Sequence, residues 1–168
     1  MRGKSIKLGF APTRRPSAAF SPERAMQQKA LIEAKLKEWQ VEYVGIDWLN
    51  QEGLLYNPID AYRVAEHFQS EDVDAVFAPH CNFGSEVAVA ILGRELGKPL
   101  LLWGPRDETP APQGRRASDT QCGLFATSKA LRRMNVAFTY VVNSEIDSAL
   151  LKRGLHLFIG AVAAAEGL

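Results

Sequence analysis

Residues 75–92 read AVFAPHCNFGSEVAVAIL, and this segment decides the fold. The apolar residues 75–78 predict a buried strand, and the apolar residues 87–92 predict a buried helix. Almost all the polar side chains of the segment fall in the turn between them. In an open α/β sheet, ligands bind beyond the carboxyl ends of the strands, where such turns lie. The turn is therefore a candidate binding site, although Ser85 could simply cap the helix while Gly84 permits the turn.

The composition is that of an ordinary globular protein. The chain has 168 residues, which predicts one domain with a substantial core. The net charge of +1 provides no field that would attract nucleic acid or an anionic membrane. The two cysteines form no disulfide framework or zinc pattern, and no apolar run reaches the ~18 residues that span a bilayer. Because no signal peptide fits the first residues, we expect a cytoplasmic protein without nucleic-acid or membrane partners.

Five apolar segments are predicted strands, and each is followed by a predicted helix. The strands cover residues 6–10, 41–46, 75–79, 100–103 and 136–142. This alternation predicts a three-layer, doubly wound α/β fold with a parallel sheet and right-handed crossovers. We expect the flavodoxin-like strand order 2-1-3-4-5 in a single Rossmann-like domain over residues 1–168.

Capping residues predict where the helices begin. The predicted starts are Ser21-Pro22, Asn57-Pro58, Asp119 and the capping box formed by Ser144 and Asp147. Gly97 is typical of a helix end and closes the third helix.

The predicted strand order places a switch point between strands 1 and 3, where the loops that follow these strands face each other. Arg14 and Arg15 follow the first strand, and His80, Asn82 and Phe83 follow the third. We expect these five side chains to line one crevice, bordered by the turn after the fourth strand.

The residues around this crevice do not match several common site types. A response regulator needs an acidic phosphate acceptor after strand 3, whereas this chain has Pro79-His80. The first loop lacks the phosphate-binding sequence of flavodoxins, and the chain has no G-x-G-x-x-G or P-loop motif. Cys81 has no evident base beside it, and the three histidines, including His67 and His156, are not at metal-ligand spacing. The sequence therefore predicts neither a catalytic residue nor a metal site.

Two motifs carry a resemblance to a known family. Phe83-Gly84-Ser85-Glu86 matches an aromatic-Gly-Ser-Glu turn, and Leu102-Trp103-Gly104 matches the end of the next strand, in the L-fucose isomerase and L-arabinose isomerase family. Arg14 or Arg15 stands where that family has a substrate-contacting arginine. The resemblance extends from residue 6 to about residue 147, and it is to the N-terminal domain only.

The resemblance implies a role in aldose–ketose isomerisation through an ene-diol. In the family, the manganese ligands and the acid/base carboxylates lie in later domains, and this domain covers the active site of a neighbouring subunit. The implied partners are a sugar substrate, the remaining isomerase domains and neighbouring subunits of a homo-oligomer. No cofactor is expected in this chain, and Mn²⁺ is expected in the full-length parent. Cys81 replaces a tryptophan of the fucose isomerase pocket, so the resemblance does not specify fucose.

The crevice and the resemblance together give eight candidate substrate contacts: Arg14, Arg15, His80, Cys81, Asn82, Phe83, Glu86 and Trp103. Several have alternative roles. The two arginines could be solvated, Trp103 could pack in the core, and Glu86 could be favourable charge in a first helical turn. The long loop 104–118 carries Arg106, Arg115 and Arg116, which we expect to be solvated or at an interface.

Two other functional classes fit the same sequence. A stand-alone sugar- or anion-binding module of the periplasmic-binding-protein type would use the crevice without catalysis. A purely structural assembly domain would bind no ligand. A further isomerase domain in the same protein would favour the enzyme over both alternatives.

Residues 155–165, LHLFIGAVAAA, are apolar on nearly every side of a helix. A helix packed on one sheet should instead have one apolar stripe and an opposite polar face. The segment is too short to span a membrane and lacks the basic face of an interfacial helix. We therefore expect its second side to be covered by something outside the 168 residues, and the isolated chain to self-associate.

Overall fold

Strands and helices alternate along the chain in the computed structural model, which describes residues 5–108 and 117–167. The elements in chain order are β1 (Leu8–Phe10), α1 (Pro22–Glu38), β2 (Tyr43–Val44), α2 (Asp60–Ser70), β3 (Ala75–Pro79), α3 (Glu86–Leu96), β4 (Leu100–Pro105), α4 (Thr120–Arg133), β5 (Thr139–Ser144) and α5 (Ala149–Ala165). The alternation predicted from the apolar segments is confirmed.

All five strands form one parallel sheet in the order β2-β1-β3-β4-β5. The predicted doubly wound fold and its strand order are therefore confirmed. β1 lies between β2 and β3, with Gly9 opposite Val44 on one side and Val76 on the other. The loops that follow these three strands consequently leave the sheet side by side.

Helices cover both faces of the sheet. α2, α3 and α4 pack on one face against Val76 and Leu102, while α1 and α5 pack on the other against Phe77 and Trp103. Successive strand residues point to opposite faces, so the continuous apolar runs of β3 and β4 fill both cores. Each fully buried apolar side chain contributes about 1.5–3 kcal/mol. These two strands are therefore held firmly in the sheet, which fixes the points where the following loops begin.

The last strand begins later than the sequence predicts. β5 starts at Thr139 and not at Val136. Val136 and Phe138 pack against the core beside α4 without joining the sheet, and the Val136 amide donates to the Leu131 carbonyl at 2.9 Å. These apolar residues are partly buried without strand pairing, which a pattern of apolar residues cannot distinguish from a strand.

Three of the predicted helix starts can be compared with the observed caps. The Ser21 hydroxyl accepts a hydrogen bond from the first turn of α1, as predicted. The prediction at Asn57 is wrong, because its side chain stabilises a turn and α2 begins only at Asp60. The predicted capping box is also wrong, since Ser144 belongs to β5 and the cap of α5 is Ser148.

The cap of α4 comes from a residue remote in sequence. Asp119 stands at the cap position, but its side chain does not make the capping bond. The Asp107 carboxylate, in the loop after β4, accepts from the Thr120 amide at 2.9 Å and from the Ser118 hydroxyl at 2.7 Å. This carboxylate therefore fastens the beginning of the loop 104–118 to α4, where its charge also complements the helix dipole.

Arg106, a further charge of this loop, lies at the surface. Arg106 and Glu145 form an ion pair at 3.5 Å, and both side chains are more than half exposed. Exposed ion pairs contribute little to stability, so Arg106 is a solvated residue, as predicted. Arg115 and Arg116 lie outside the described residues.

The last helix, α5, buries a single stripe formed by Leu151, Leu155, Phe158 and Val162. On another side, Leu157 is 62% exposed. The second apolar side of this helix, which the sequence predicts, is therefore exposed in this chain. Within the described ranges, no helix combines the length and apolar character needed to cross a membrane.

We predict that Asp107→Ala lowers the free energy of unfolding by about 1–2 kcal/mol, the usual cost of losing a helix cap. Asp107→Asn should lose less, because the amide oxygen can still accept from the Thr120 amide. Urea denaturation of the three proteins measures this. Equal stability of Asp107→Ala and the parent chain would contradict the assignment of Asp107 as the cap.

Candidate functional site

The loops that follow β1, β2 and β3 meet at Thr13. Its hydroxyl donates to the Leu55 carbonyl at 2.7 Å and accepts from the Ser85 amide at 2.9 Å. Its backbone forms isolated bridges with Leu55 and with His80. The two loops predicted to face each other are therefore in direct contact, and the loop after β2 joins them.

Asn82 fixes the turn that follows β3. Its side-chain oxygen accepts from the backbone amides of Arg15 at 2.8 Å and Phe83 at 2.5 Å. Asn82 is fully buried. We predicted that its side chain lines the crevice, but the structure buries this side chain, and its oxygen joins the two loops.

His80 is also sealed in the interior rather than exposed in the crevice. Its Nε2 lies 2.8 Å from the Thr127 hydroxyl, and its Nδ1 has no hydrogen-bond partner among the described residues. Burial lowers the pKa of His80 to about 4, although the carbonyls of Trp103 and Ala78 partly oppose this shift. His80 is therefore neutral at physiological pH and positioned to support the turn.

Gly84 explains how the turn fits over this histidine. Its φ is +89°, as the turn requires, and a Cβ at this position would lie 2.2 Å from the His80 ring. Ser85 stands at the cap position of α3, as the alternative interpretation of the turn required, but its hydroxyl donates to the Tyr56 carbonyl at 3.1 Å and makes no capping bond. Gly123 of α4 lies so close to Phe83 that a Cβ would overlap the Phe83 carbonyl oxygen.

Two further candidate contacts are buried in the core. The Trp103 indole N–H donates to the Ser144 hydroxyl at 2.8 Å, and the ring packs on the α1/α5 face of the sheet. Cys81 belongs to the same core, and burial raises the pKa of its thiol. Substrate contact by His80, Cys81, Asn82 or Trp103 would require the loops to open.

Arg15 and Glu86 do reach the surface of the crevice. The Arg15 guanidinium lies 4.6 Å from the centre of the Phe83 ring and 2.9 Å from a Glu86 carboxylate oxygen. Phe20 packs against the same Phe83 ring, with the two ring centres 5.4 Å apart. These side chains and Tyr56 line an open pocket of about 570 Å³.

Arg14 lies on the neighbouring side of the first loop and is more buried. Its guanidinium makes two hydrogen bonds to Glu52, at 2.5 and 3.0 Å, and lies 4.2 Å from the centre of the Tyr56 ring. Its side chain also borders a second pocket, formed with residues 16–22. Both arginines of the crevice are thus held by a carboxylate and an aromatic ring.

The crevice is chemically a binding surface. Guanidinium groups supply fixed hydrogen-bond donors, and aromatic rings supply apolar faces, a combination that suits a polyhydroxylated ligand. Within residues 5–108 and 117–167, no group of three His, Cys, Asp or Glu residues is placed to hold a metal ion. Another pocket of about 570 Å³, around Lys98 and Phe138, lies at the opposite end of the sheet and shares no residue with the crevice.

Sequence reasoning missed four residues of the site: Thr13, Phe20, Glu52 and Tyr56. Thr13 directly precedes the predicted arginines, and its position in the loop just after β1 was an available signal. Glu52 and Tyr56 lie after β2, a strand that the argument from the β1/β3 switch point left out. No pattern in the sequence pairs Glu52 with Arg14 across 38 positions.

Comparison with known proteins gives one finding. A family model for the N-terminal domain of fucose/sulfoquinovose isomerases matches residues 9–168, nearly the whole chain. Comparison with individual curated proteins gives no significant match.

We predict that Thr13→Val lowers the free energy of unfolding by about 1–3 kcal/mol, because the buried Ser85 amide loses its acceptor. Thr13→Ser keeps the hydroxyl and should lose less. Chemical denaturation and amide hydrogen exchange at Ser85 measure the effect. Unchanged exchange at Ser85 in Thr13→Val would show that the hydroxyl does not hold α3 in place.

We also predict that stability falls as the pH decreases from 6.5 to 5. The folded-state pKa of His80 is lowered to about 4, from 6.5, so the unfolded chain binds more protons in this interval. The expected loss is about 2 kcal/mol, from roughly 1.4 kcal/mol per pH unit. Urea denaturation across this interval measures it.

The matched variants are His80→Asn and His156→Gln. The slope of stability against pH should flatten in His80→Asn and persist in His156→Gln, since His156 is an exposed residue of α5. A slope that survives removal of His80 would assign the proton uptake to another group.

Proposed function

Because the chain belongs to the family of fucose/sulfoquinovose isomerase N-terminal domains, we propose that it covers the active site of an aldose–ketose isomerase and contributes sugar-binding loops to it. It does so as the N-terminal domain of a longer, oligomeric protein. The observation that carries this proposal is the Arg15 guanidinium held between the Phe83 ring and the Glu86 carboxylate. It offers directed donors beside an apolar face, at the edge of the sheet where ligands bind in this fold.

Three crevice residues could in principle move a proton at carbon, and of these the Glu86 carboxylate is paired with Arg15. His80 is neutral and sealed, and burial raises the pKa of the Cys81 thiol. A general base must reach the proton it removes, with a pKa near the working pH. We therefore assign orientation of the sugar and exclusion of water to this chain, and the proton transfers to residues outside it.

The described residues do not fit the manganese ion expected in the full-length parent, since they offer no suitable group of ligands. We assign that ion to the remaining isomerase domains. The two free cysteines agree with a reducing compartment, and we propose a cytoplasmic location.

Exposed apolar side chains beside the crevice support a covering role. Ile59 is 71% exposed, Tyr62 43% and Val87 44%. Pro58 and Val87 line the crevice pocket itself. Apolar surface around a polar pocket is typical of a site that closes against another protein surface. A neighbouring subunit would cover it in an assembled isomerase.

The alternative function is a stand-alone sugar-binding module, which the pairing of Glu86 with Arg15 and the burial of His80 also fit. The two functions differ in affinity and in turnover. A module should bind sugar tightly on its own, whereas a covering domain should bind weakly until the remaining domains are present.

We predict that hexoses shift the NMR signals of Arg15, Tyr56 and Phe83 in this chain, with no isomerisation in the presence of Mn²⁺. Arg15→Met should weaken binding about tenfold, as expected for loss of a charge-assisted hydrogen bond. In a protein with the remaining isomerase domains, the same change should lower kcat/KM by a similar factor.

The matched control is Arg63→Met. Arg63 also pairs with a carboxylate, Asp60, and lies 5.4 Å from the centre of an aromatic ring, that of Trp48, but it is outside the crevice. Its replacement should leave sugar binding unchanged. The proposal fails if no sugar perturbs the crevice, or if Arg15→Met and Arg63→Met behave alike.

A further inference from the structure

The charges that border the crevice cancel one another. Among the described residues, Arg15 and Glu86 are the charged side chains that line its pocket of about 570 Å³, and they pair at 2.9 Å. Arg14, which borders the neighbouring pocket, pairs with Glu52. Each guanidinium group is thus accompanied by one carboxylate, and the described part of the crevice carries no net charge.

The ion pair occupies only part of the Arg15 guanidinium. Nη2 lies 3.0 and 2.9 Å from the two Glu86 carboxylate oxygens. Nε and Nη1 make no hydrogen bond to any residue in the ranges 5–108 and 117–167. Uncharged hydroxyl groups can therefore accept from the remaining N–H donors while the Glu86 carboxylate stays in place.

An anionic ligand meets a different situation at the same guanidinium. A group that approaches Arg15 also approaches the Glu86 carboxylate, and two like charges placed together cost free energy. Displacement of the Glu86 carboxylate is unfavourable as well. Glu86 is fixed at the first residue of α3, and a tethered group competes with a dissolved one at a high effective concentration.

We propose that Glu86 is a specificity-determining residue, which makes the crevice select uncharged sugars over sugars that carry a carboxylate, sulfonate or phosphate group. This inference rests on the proposed function, because it concerns the class of sugar bound in the same crevice. It assigns Glu86 the role of counter-ion to Arg15, in addition to any contact with the sugar.

The position of Glu86 makes the removal of its charge informative. The N-terminus of α3, an 11-residue helix, carries a partial positive charge. In Glu86→Gln, this helix end and the Arg15 guanidinium would lie beside a neutral side chain of nearly the same size. The variant should therefore gain an anion site that the parent chain lacks.

The test is an NMR titration of the 168-residue chain, which follows the backbone signals of Arg15 and Phe83. The probes are glucose, glucuronate, in which a carboxylate replaces the terminal hydroxymethyl group, and inorganic sulfate. The parent chain should bind glucuronate about tenfold more weakly than glucose. Glu86→Gln should bind glucuronate and sulfate at least about tenfold more tightly than the parent chain, whereas its affinity for glucose should change less than about threefold.

The matched control is Glu95→Gln. Glu95 also pairs with an arginine, Arg94, at 2.8 Å, but it lies near the other end of α3 and outside the crevice. This variant loses the same charge and should gain no anion binding at Arg15. The double variant Arg15→Met/Glu86→Gln should lose the gain, because the guanidinium is the group that binds the anion.

Glu86→Ala removes the carboxylate in a second way and should gain sulfate binding too, and circular dichroism confirms that each variant is folded. The inference is overturned if the parent chain binds glucuronate as tightly as glucose, or if neither folded Glu86 variant gains anion binding. An equal gain in Glu95→Gln, or a gain that survives Arg15→Met, also overturns it.

The sulfate titration separates this inference from the proposed function. If glucose shifts no crevice signal while sulfate binds only after Glu86 is replaced, the sugar-binding role fails. Glu86 is then still the counter-ion that keeps anions away from Arg15. If glucose binds and sulfate binds no variant, the sugar-binding role stands and the assignment of Glu86 is overturned.

Discussion

One buried hydroxyl group holds the crevice together. The Thr13 side chain donates to the loop after β2 through the Leu55 carbonyl and accepts from the start of α3 through the Ser85 amide. Thr13 itself is fully buried, so water cannot replace either bond. Three parallel strands bring their loops to one edge of the sheet, but this oxygen fixes the distances between those loops.

The positions of the binding side chains follow from the two hydrogen bonds of the Thr13 hydroxyl. Arg14 and Arg15 are the next residues after Thr13, and Glu86 is the next after Ser85. Once Thr13 and Ser85 are joined, the Arg15 guanidinium is within reach of the Glu86 carboxylate and the Phe83 ring. Because the ion pair is about one-quarter to one-third exposed, its Coulomb energy is modest, and its main contribution is orientation. A pre-oriented guanidinium loses less entropy when it binds a ligand.

The fold could be predicted from the sequence, whereas only half of the candidate site could. Apolar runs separated by helical patterns leave few arrangements open to a chain of this length, and the parallel order followed. The sequence pattern cannot show whether a polar residue after a strand faces solvent or forms its hydrogen bonds in the protein interior. His80 finds its partner Thr127 on α4, 47 residues away, and Trp103 finds Ser144 on β5. Arg14 and Arg15 were predicted from their position after β1, beside the switch point, and that position could not show that Arg14 is buried while Arg15 reaches the surface.

The crevice and the exposed apolar side of α5 lie at different places on the sheet: the crevice follows β1, β2 and β3, whereas α5 follows β5. At the crevice, the charged groups are paired and the aromatic rings are partly covered, and exposed apolar side chains such as Ile59 and Val87 surround this polar pocket. At the β5 edge, the residues 155–165 carry more apolar surface than one sheet can bury. α5 needs only the stripe of Leu151, Leu155, Phe158 and Val162 to bind its own domain. The remaining apolar side has no function in the stability of the single chain, and a helix retains such a side most simply because another protein surface covers it.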